Sequence, residues 1–279
     1  SVASRGLGDV YKRQAHDYAG LIASLGSERA RRYYQAYENA VHSVVSLVEQ
    51  ERIACDLTRN GKLKLAAKAQ HYDGLARTCE LIRREVDAEV ELLSAEQVRS
   101  EVDSAQFHGG LLQRNGVQMH IGRFGIGLAE AAARHGALVY ERTTMQGYRP
   151  EAGGYRVDTS RGSLQAGQVL MATGASQHGG LGWYRRRIVP VGSFIIATER
   201  LPDAMLERLL PQRRSYVTSR IIGNYFRLTP DNRLLLGGRA RFAMSGGNSD
   251  LKSGKVLQAA LVQMFPQLAE AKIDYCWGG

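Results

Sequence analysis

Cysteine is scarce and unpatterned, with three residues, Cys55, Cys79 and Cys276, and no C-x-x-C spacing. An odd number without that spacing excludes a disulfide framework and argues against a zinc site. The seven histidines likewise fall at no metal-ligand spacing, and no metal is expected. No apolar run approaches the roughly 20 residues that a membrane-spanning helix needs. No apolar h-region opens the chain in the manner of a secretory signal, so the cytoplasm is the expected compartment. There is no block of one charge either. The 37 basic and 27 acidic residues leave a net +10, but the arginines occur as short clusters (Arg31-Arg32, Arg83-Arg84, Arg185 to Arg187, Arg213-Arg214) with acids between them. No aromatic ladder for stacking bases accompanies them, so nucleic acid is not an expected partner; solvated faces and attraction for an anionic ligand account for the charge. Repeats and low-complexity segments are absent.

What remains is an ordinary globular composition, 44% apolar and 23% charged over 279 residues, enough for about two domains. Residues 1–14 follow no periodic pattern and are expected to be a non-native lead. From Ser27 to about Arg52, Tyr34, Tyr37, Val41, Val44, Val45 and Val48 mark one face of a long helix. Gly61 to Ala66 alternates as a half-buried strand, and Tyr72, Leu75, Ala76, Cys79, Ile82 and Val86 mark a second helix with Cys79 in the core. Ser94 and Gln97 have capping-box spacing and open a third. A strand end at Val117 to His120, a helix from about Arg123 to Arg134 and a strand Ala137 to Glu141 follow. The Gly125-Ile126-Gly127 start of a dinucleotide fingerprint in that helix is read as a decoy, because Glu130 occupies the third glycine's place in the first helical turn, where a pyrophosphate belongs.

The most informative stretch is a hairpin. Tyr155 to Leu164 alternates and turns at Arg161-Gly162. The chain then enters an apolar strand, Val169-Leu170-Met171, ending at the small residues Ala172-Thr173-Gly174-Ala175, where a ligand can touch backbone. An ordinary buried strand ended by a turn is the alternative reading. Beyond it come a β-rich run from Ile188 to Thr198, a hairpin of Tyr225 to Thr229 and Arg233 to Gly238 around Pro230-Asp231-Asn232, a helix over 253–265, and the terminal Trp277-Gly278-Gly279.

The Ala172 to Ala175 ending resembles the second dinucleotide-contact strand of FAD-dependent oxidoreductases of the D-amino-acid oxidase, or glycine/sarcosine oxidase, superfamily. The order of features is similar to that family from about Gly20 to Gly279, close to its γ-glutamylputrescine oxidoreductase branch: Cys55-Asp56, Gly61-Lys62-Leu63, the helix before Gly136 to Glu141, the Ala172 ending, Tyr225 to Gly238, and Trp277-Gly278-Gly279. The resemblance implies an α/β fold with α+β character, in which a split FAD-binding Rossmann-like domain accompanies an antiparallel-sheet substrate domain. Residues 15–116 would form a mostly helical joining section, 117–184 part of the FAD-binding domain and 185–279 part of the substrate-binding domain. The family's N-terminal G-x-G-x-x-G strand and its C-terminal flavin-contacting segment have no counterpart, so the chain is expected to be an inactive fragment of its parent.

The implied activity is oxidation of the C–N bond of a primary or secondary amine or amino acid, with hydride passing to FAD and the imine hydrolysed by water. Met145, Ala172, Thr173, Gly174, Ala175, Gly237 and Gly238 are the implied cofactor contacts. Tyr225 and Arg239 are the implied substrate contacts, a hydroxyl for orientation and a guanidinium for a carboxylate. No catalytic residue is assigned, and a small-molecule amine is the expected partner. The competing expectation is a binding module that holds no flavin.

Overall fold

The structure, a computed structural model, describes residues 9–10, 17–173, 182–187, 192–220, 223–241 and 247–278. A two-residue strand β1 (Asp9–Val10) precedes helices α1 (Tyr18–Leu25) and α2 (Ser27–Gln50). Next come β2 (Lys62–Leu65), α3 (Ala69–Glu85), β3 (Glu91–Leu93), α4 (Ala95–Glu101), β4 (Gly110–Gln113), β5 (Val117–Gln118) and α5 (Ile121–Arg134). A three-stranded meander follows, β6 (Met145–Glu151), β7 (Gly154–Thr159) and β8 (Gly162–Ala166), and then α6 (Gly182–Arg185). The last third holds β9 (Gly192–Thr198), α7 (Asp203–Leu209), β10 (Ser215–Thr218), β11 (Tyr225–Leu228), β12 (Leu234–Arg241), α8 (Gly247–Met264) and β13 (Ile273–Gly278).

Eight strands form one sheet in the order β13-β9-β12-β11-β10-β2-β4-β3. Its pairings are antiparallel apart from β10 with β2, which run parallel in the register Ser215↔Lys62 to Thr218↔Leu65. Residues 15–116, expected as a mostly helical joining section, therefore also supply β2, β3 and β4 to the sheet built by residues 192–278. Strand β1 pairs with β5 at Asp9↔Gln118, which ties part of the supposed lead to the body of the chain.

Period-two alternation gives the sheet two unlike faces. One carries Leu63, Leu65, Leu112, Phe194, Ile196, Tyr216, Phe226, Leu228, Leu234 and Leu236, packed under Leu257, Leu261 and Met264 of α8, Val98 of α4, and Leu206 and Leu209 of α7. Phe226 stacks on Tyr216 at 5.0 Å and meets Phe265 edge-on at 5.5 Å. On the opposite face, helices α1, α2 and α3 cover one half. There Leu111 and Ala66 pack with Tyr18, Leu21, Ala30, Tyr34, Leu75, Cys79 and Ile82 of α1, α2 and α3. The other half, formed by β9, β11, β12 and β13, holds a second buried cluster, Ile195, Ala197 and Leu235, with partly buried Tyr225 and Trp277 packed against it.

Local sequence explains the framing helices. Ser94 accepts from the Gln97 N–H while the Gln97 side chain accepts from the Ser94 N–H, so both arms of the capping box are made. The buried residues of α2, namely Ala30, Tyr34, Glu38, Val41, Val45 and Val48, keep helical spacing. Helix α5 encloses Gly125 and Gly127 in its interior, so the glycines line no phosphate loop; a side chain at Gly127 would strike Ile53. Arg134 and His135 at its end both bond Glu51, at 3.0 and 2.8 Å.

Two sequence expectations are corrected. Ala137 to Glu141 and Val169 to Met171 are not strands. Leu138, Val139 and Tyr140 are 79, 53 and 67% exposed, and Leu170 is 90% exposed. Both runs have the apolar character of buried parallel strands, but a strand exists only by pairing, and no described strand pairs with either.

Candidate functional site

The half of the sheet free of α1, α2 and α3 faces the start of α5, and a groove of about 830 Å³ lies there. Its sheet-side wall includes Ala197, Arg227, Arg233, Leu235, Tyr275 and Trp277, and its opposite wall includes Asp56, His120, Ile121 and Arg123. His120 is the N-cap of α5, accepting the Arg123 N–H at Nδ1 over 3.2 Å. The Arg123 guanidinium reaches back to both oxygens of Asp56, at 2.8 and 3.0 Å. Arg227 is 6% exposed and donates to the carbonyls of Met119 and Leu228, at 3.1 and 3.2 Å, which ties β11 to the segment before α5.

The turn between β11 and β12 closes the other end. Asn232 adopts φ 65°, a left-handed conformation that asparagine tolerates. Thr229 Oγ1 donates to Asp231 at 2.7 Å and accepts the Arg233 N–H at 2.9 Å. Arg233 then joins Asp231 to Asp274 of β13, and the bond to Asp274 is the main reason its guanidinium stays more basic than usual. Burial pushes the Asp231 carboxyl up, but the Thr229 hydroxyl and Arg233 outweigh it and hold the group below its ordinary value. Four arginines line the groove, and Arg123, Arg200 and Arg233 pair with carboxylates of the same region.

At the opposite end of the same strands, Tyr225 lies in register with Gly237 of β12, and Gly237 with Ile195 of β9. The Tyr225 ring lies over Gly237, so that an added Cβ would penetrate ring atoms Cδ2, Cε2 and Cζ. The phenol oxygen crosses β12 to sit 2.7 Å from Ser193 Oγ on β9. At Gly238 a Cβ would fall 2.8 Å from Asn224 Nδ2 and 3.1 Å from the Gly223 carbonyl. The room that the resemblance reserves for a flavin at Gly237 and Gly238 is thus taken on that side by Tyr225, Asn224 and Gly223.

The remaining candidates are spread out. Met145 begins β6 and pairs with Thr159. Ala172 and Thr173 are exposed and belong to no strand. Gly174 and Ala175 lie outside the described residues, as does the Arg239 side chain, whose backbone falls at the register shift between Gly238 and Ala240. An FAD site requires main chain that bulky side chains do not shield. Exposed Ala172 and Thr173 meet that requirement, whereas Gly237 and Gly238 do not on the side that Tyr225, Asn224 and Gly223 occupy. Sequence reasoning missed Ser193, Arg227 and Asp56; the first two carry only strand alternation as a signal.

The DAO family profile, FAD dependent oxidoreductase, matches residues 8–279. The chain is 29% identical over 285 residues to the gamma-glutamylputrescine oxidoreductase of Escherichia coli K12, covering 99% of this chain and 64% of that protein. It is 26% identical over 266 residues to a probable oxidoreductase OrdL of Haemophilus influenzae, covering 92% and 59%. The chain thus spans about three fifths of the length of these curated relatives. Among solved structures, glycine oxidase from Geobacillus kaustophilus superposes over 100% of this chain and 72% of its own with a TM-score of 0.74 at 20% identity. At that identity the likeness concerns the fold.

Proposed function

The chain belongs to the DAO family of FAD-dependent oxidoreductases, and on that premise we propose that it serves an enzyme oxidising the C–N bond of a primary or secondary amine or amino acid. FAD, when bound, would supply an acceptor for hydride from the carbon bearing the amine, leaving an imine for water to hydrolyse. The supporting observation is the sheet face beyond α1, α2 and α3, where an anchored phenol, an aromatic edge and a lined groove share one side.

In this reading Met145, Ala172 and Thr173, with Gly174 and Ala175, hold the cofactor through their backbone. Gly237 and Gly238 contribute by seating Tyr225 and Asn224. The Tyr225 hydroxyl orients the substrate, and Arg239 receives a carboxylate where the substrate carries one. Ile195, Ala197, Leu235 and Trp277 form the apolar floor that keeps water from the reacting carbon.

The test is anaerobic. The enzyme that this chain serves, reconstituted with FAD, is mixed in turn with glycine, sarcosine, putrescine and γ-glutamylputrescine while the visible absorption of oxidised flavin is followed. Bleaching by at least one of these amines is the expected result. Saturable flavin binding with no bleaching by any of them would overturn the assignment to amine oxidation. Failure of that enzyme to bind flavin at all would favour a binding module.

A further inference from the structure

We propose that Ser193 is a positioning residue that fixes the Tyr225 phenol on the substrate side of the sheet and thereby sets the affinity for the amine. The inference rests on the reading of Tyr225 given above. Three features meet at one place. Tyr225 and Ser193 stand on strands separated by β12, and a tyrosine ring can span that strand only where the intervening residue has no side chain, which is Gly237. The register shift between Gly238 and Ala240 places Ser193 opposite Ala240 while Ile195 stays opposite Gly237. Ser193, Ile195 and Tyr225 therefore share one face of the sheet, and the two hydroxyls meet at 2.7 Å in a partly buried setting. The ring is held flat by the glycine beneath it and its oxygen is held by the serine.

A phenol has one proton to donate and two lone pairs. The bond to Ser193, whichever hydroxyl donates, holds the phenol oxygen in one place rather than leaving it to rotate. A fixed hydroxyl binds substrate without first losing rotational freedom, so its benefit appears mainly in binding.

The experiment combines Ser193→Ala, Ser193→Thr, Tyr225→Phe and the Ala/Phe double variant. Steady-state kinetics are measured on the FAD-loaded enzyme that this chain serves, with whichever amine bleaches the flavin, and thermal unfolding is measured on the same proteins without FAD. Loss of one neutral hydrogen bond predicts a KM raised by roughly 2- to 10-fold in Ser193→Ala, with kcat changed less. Ser193→Thr, which keeps the hydroxyl, is expected to restore KM. In the Tyr225→Phe background, Ser193→Ala is expected to add nothing to KM and little to the loss in Tm. Equal effects of Ser193→Ala in both backgrounds overturn the proposal, and so does a fall in Tm with KM unchanged. If Tyr225→Phe leaves KM and kcat at wild-type values while Tm still shows the two residues coupled, the substrate-side reading of Tyr225 is what has failed, and the positioning role fails with it.

Discussion

Replacing Gly237 by alanine puts a methyl group inside the volume of the Tyr225 ring, against Cδ2, Cε2 and Cζ. Neither partner can yield cheaply. The glycine is buried in the middle of β12 between β11 and β9, and the ring oxygen is tied to Ser193 at 2.7 Å. Overpacking of this kind costs about 1–3 kcal/mol, and a displaced ring gives up the Ser193 bond for about 0.5–1.5 kcal/mol more. The lower backbone entropy of alanine in the unfolded chain returns about 0.4–1 kcal/mol. The net expectation is a loss of about 2–3 kcal/mol, or a Tm lower by roughly 4–12 °C for a chain of this size. Circular dichroism during thermal and urea unfolding measures it. The decisive comparison is the same substitution in a Tyr225→Ala background, where the methyl meets no ring and the cost is expected to fall below about 0.5 kcal/mol. An equal cost in the two backgrounds would refute the steric argument.

Other perturbations have equally definite outcomes. Arg214 bonds both oxygens of Glu101, at 2.8 and 3.1 Å, and the Asn60 carbonyl at 2.7 Å, with both charged side chains 13% exposed; Arg214→Met is expected to cost about 3 kcal/mol in urea unfolding by leaving Glu101 unpaired. Ser94→Ala removes the cap of α4 and is expected to cost about 1 kcal/mol, with Ser94→Asp close to neutral in the same assay. Burial, with the Glu85 carboxylate at 2.8 Å, pushes the Tyr18 phenol from 10.0 up to about 12. The unfolded chain therefore releases this proton first, and stability is expected to fall as pH rises from about 10 to about 12. Tyr18→Phe should make that decline shallower in alkaline thermal melts, and an unchanged slope would contradict the assigned cause.

The helices were legible because their signals are local. The 3.6-residue spacing of α2, the capping box of α4 and the turn signal at Pro230-Asp231-Asn232 are each complete within a few residues, and each reappears in the structure. Cys79 also lies in the core as its helical spacing implies. The strands at 137–141 and 169–171 were misread for the opposite reason: their apolar runs announce burial, but pairing depends on distant chain. Strand β13 escaped notice because Asp274 and Tyr275 are exposed and Trp277 only half-buried, a pattern that becomes a strand through its register with β9. For the candidate site, the resemblance picked out Tyr225, Gly237 and Gly238 but not what they do for one another. The serine that completes the arrangement lies 32 positions from Tyr225, and no spacing rule connects them.

The parallel pairing of β2 with β10 dictates an order of events during synthesis. Asn60, beside β2, bonds the carbonyl of Arg213, beside β10, across 153 positions of sequence. On a ribosome adding roughly 5–20 residues per second, β2 would be made about 8–30 s before its neighbour emerges. Throughout that wait, the β2–β4–β3 ribbon would present a raw hydrogen-bonding edge with Leu63 and Leu65 uncovered. Nascent chains stalled in this interval are where chaperone binding and misassembly should concentrate.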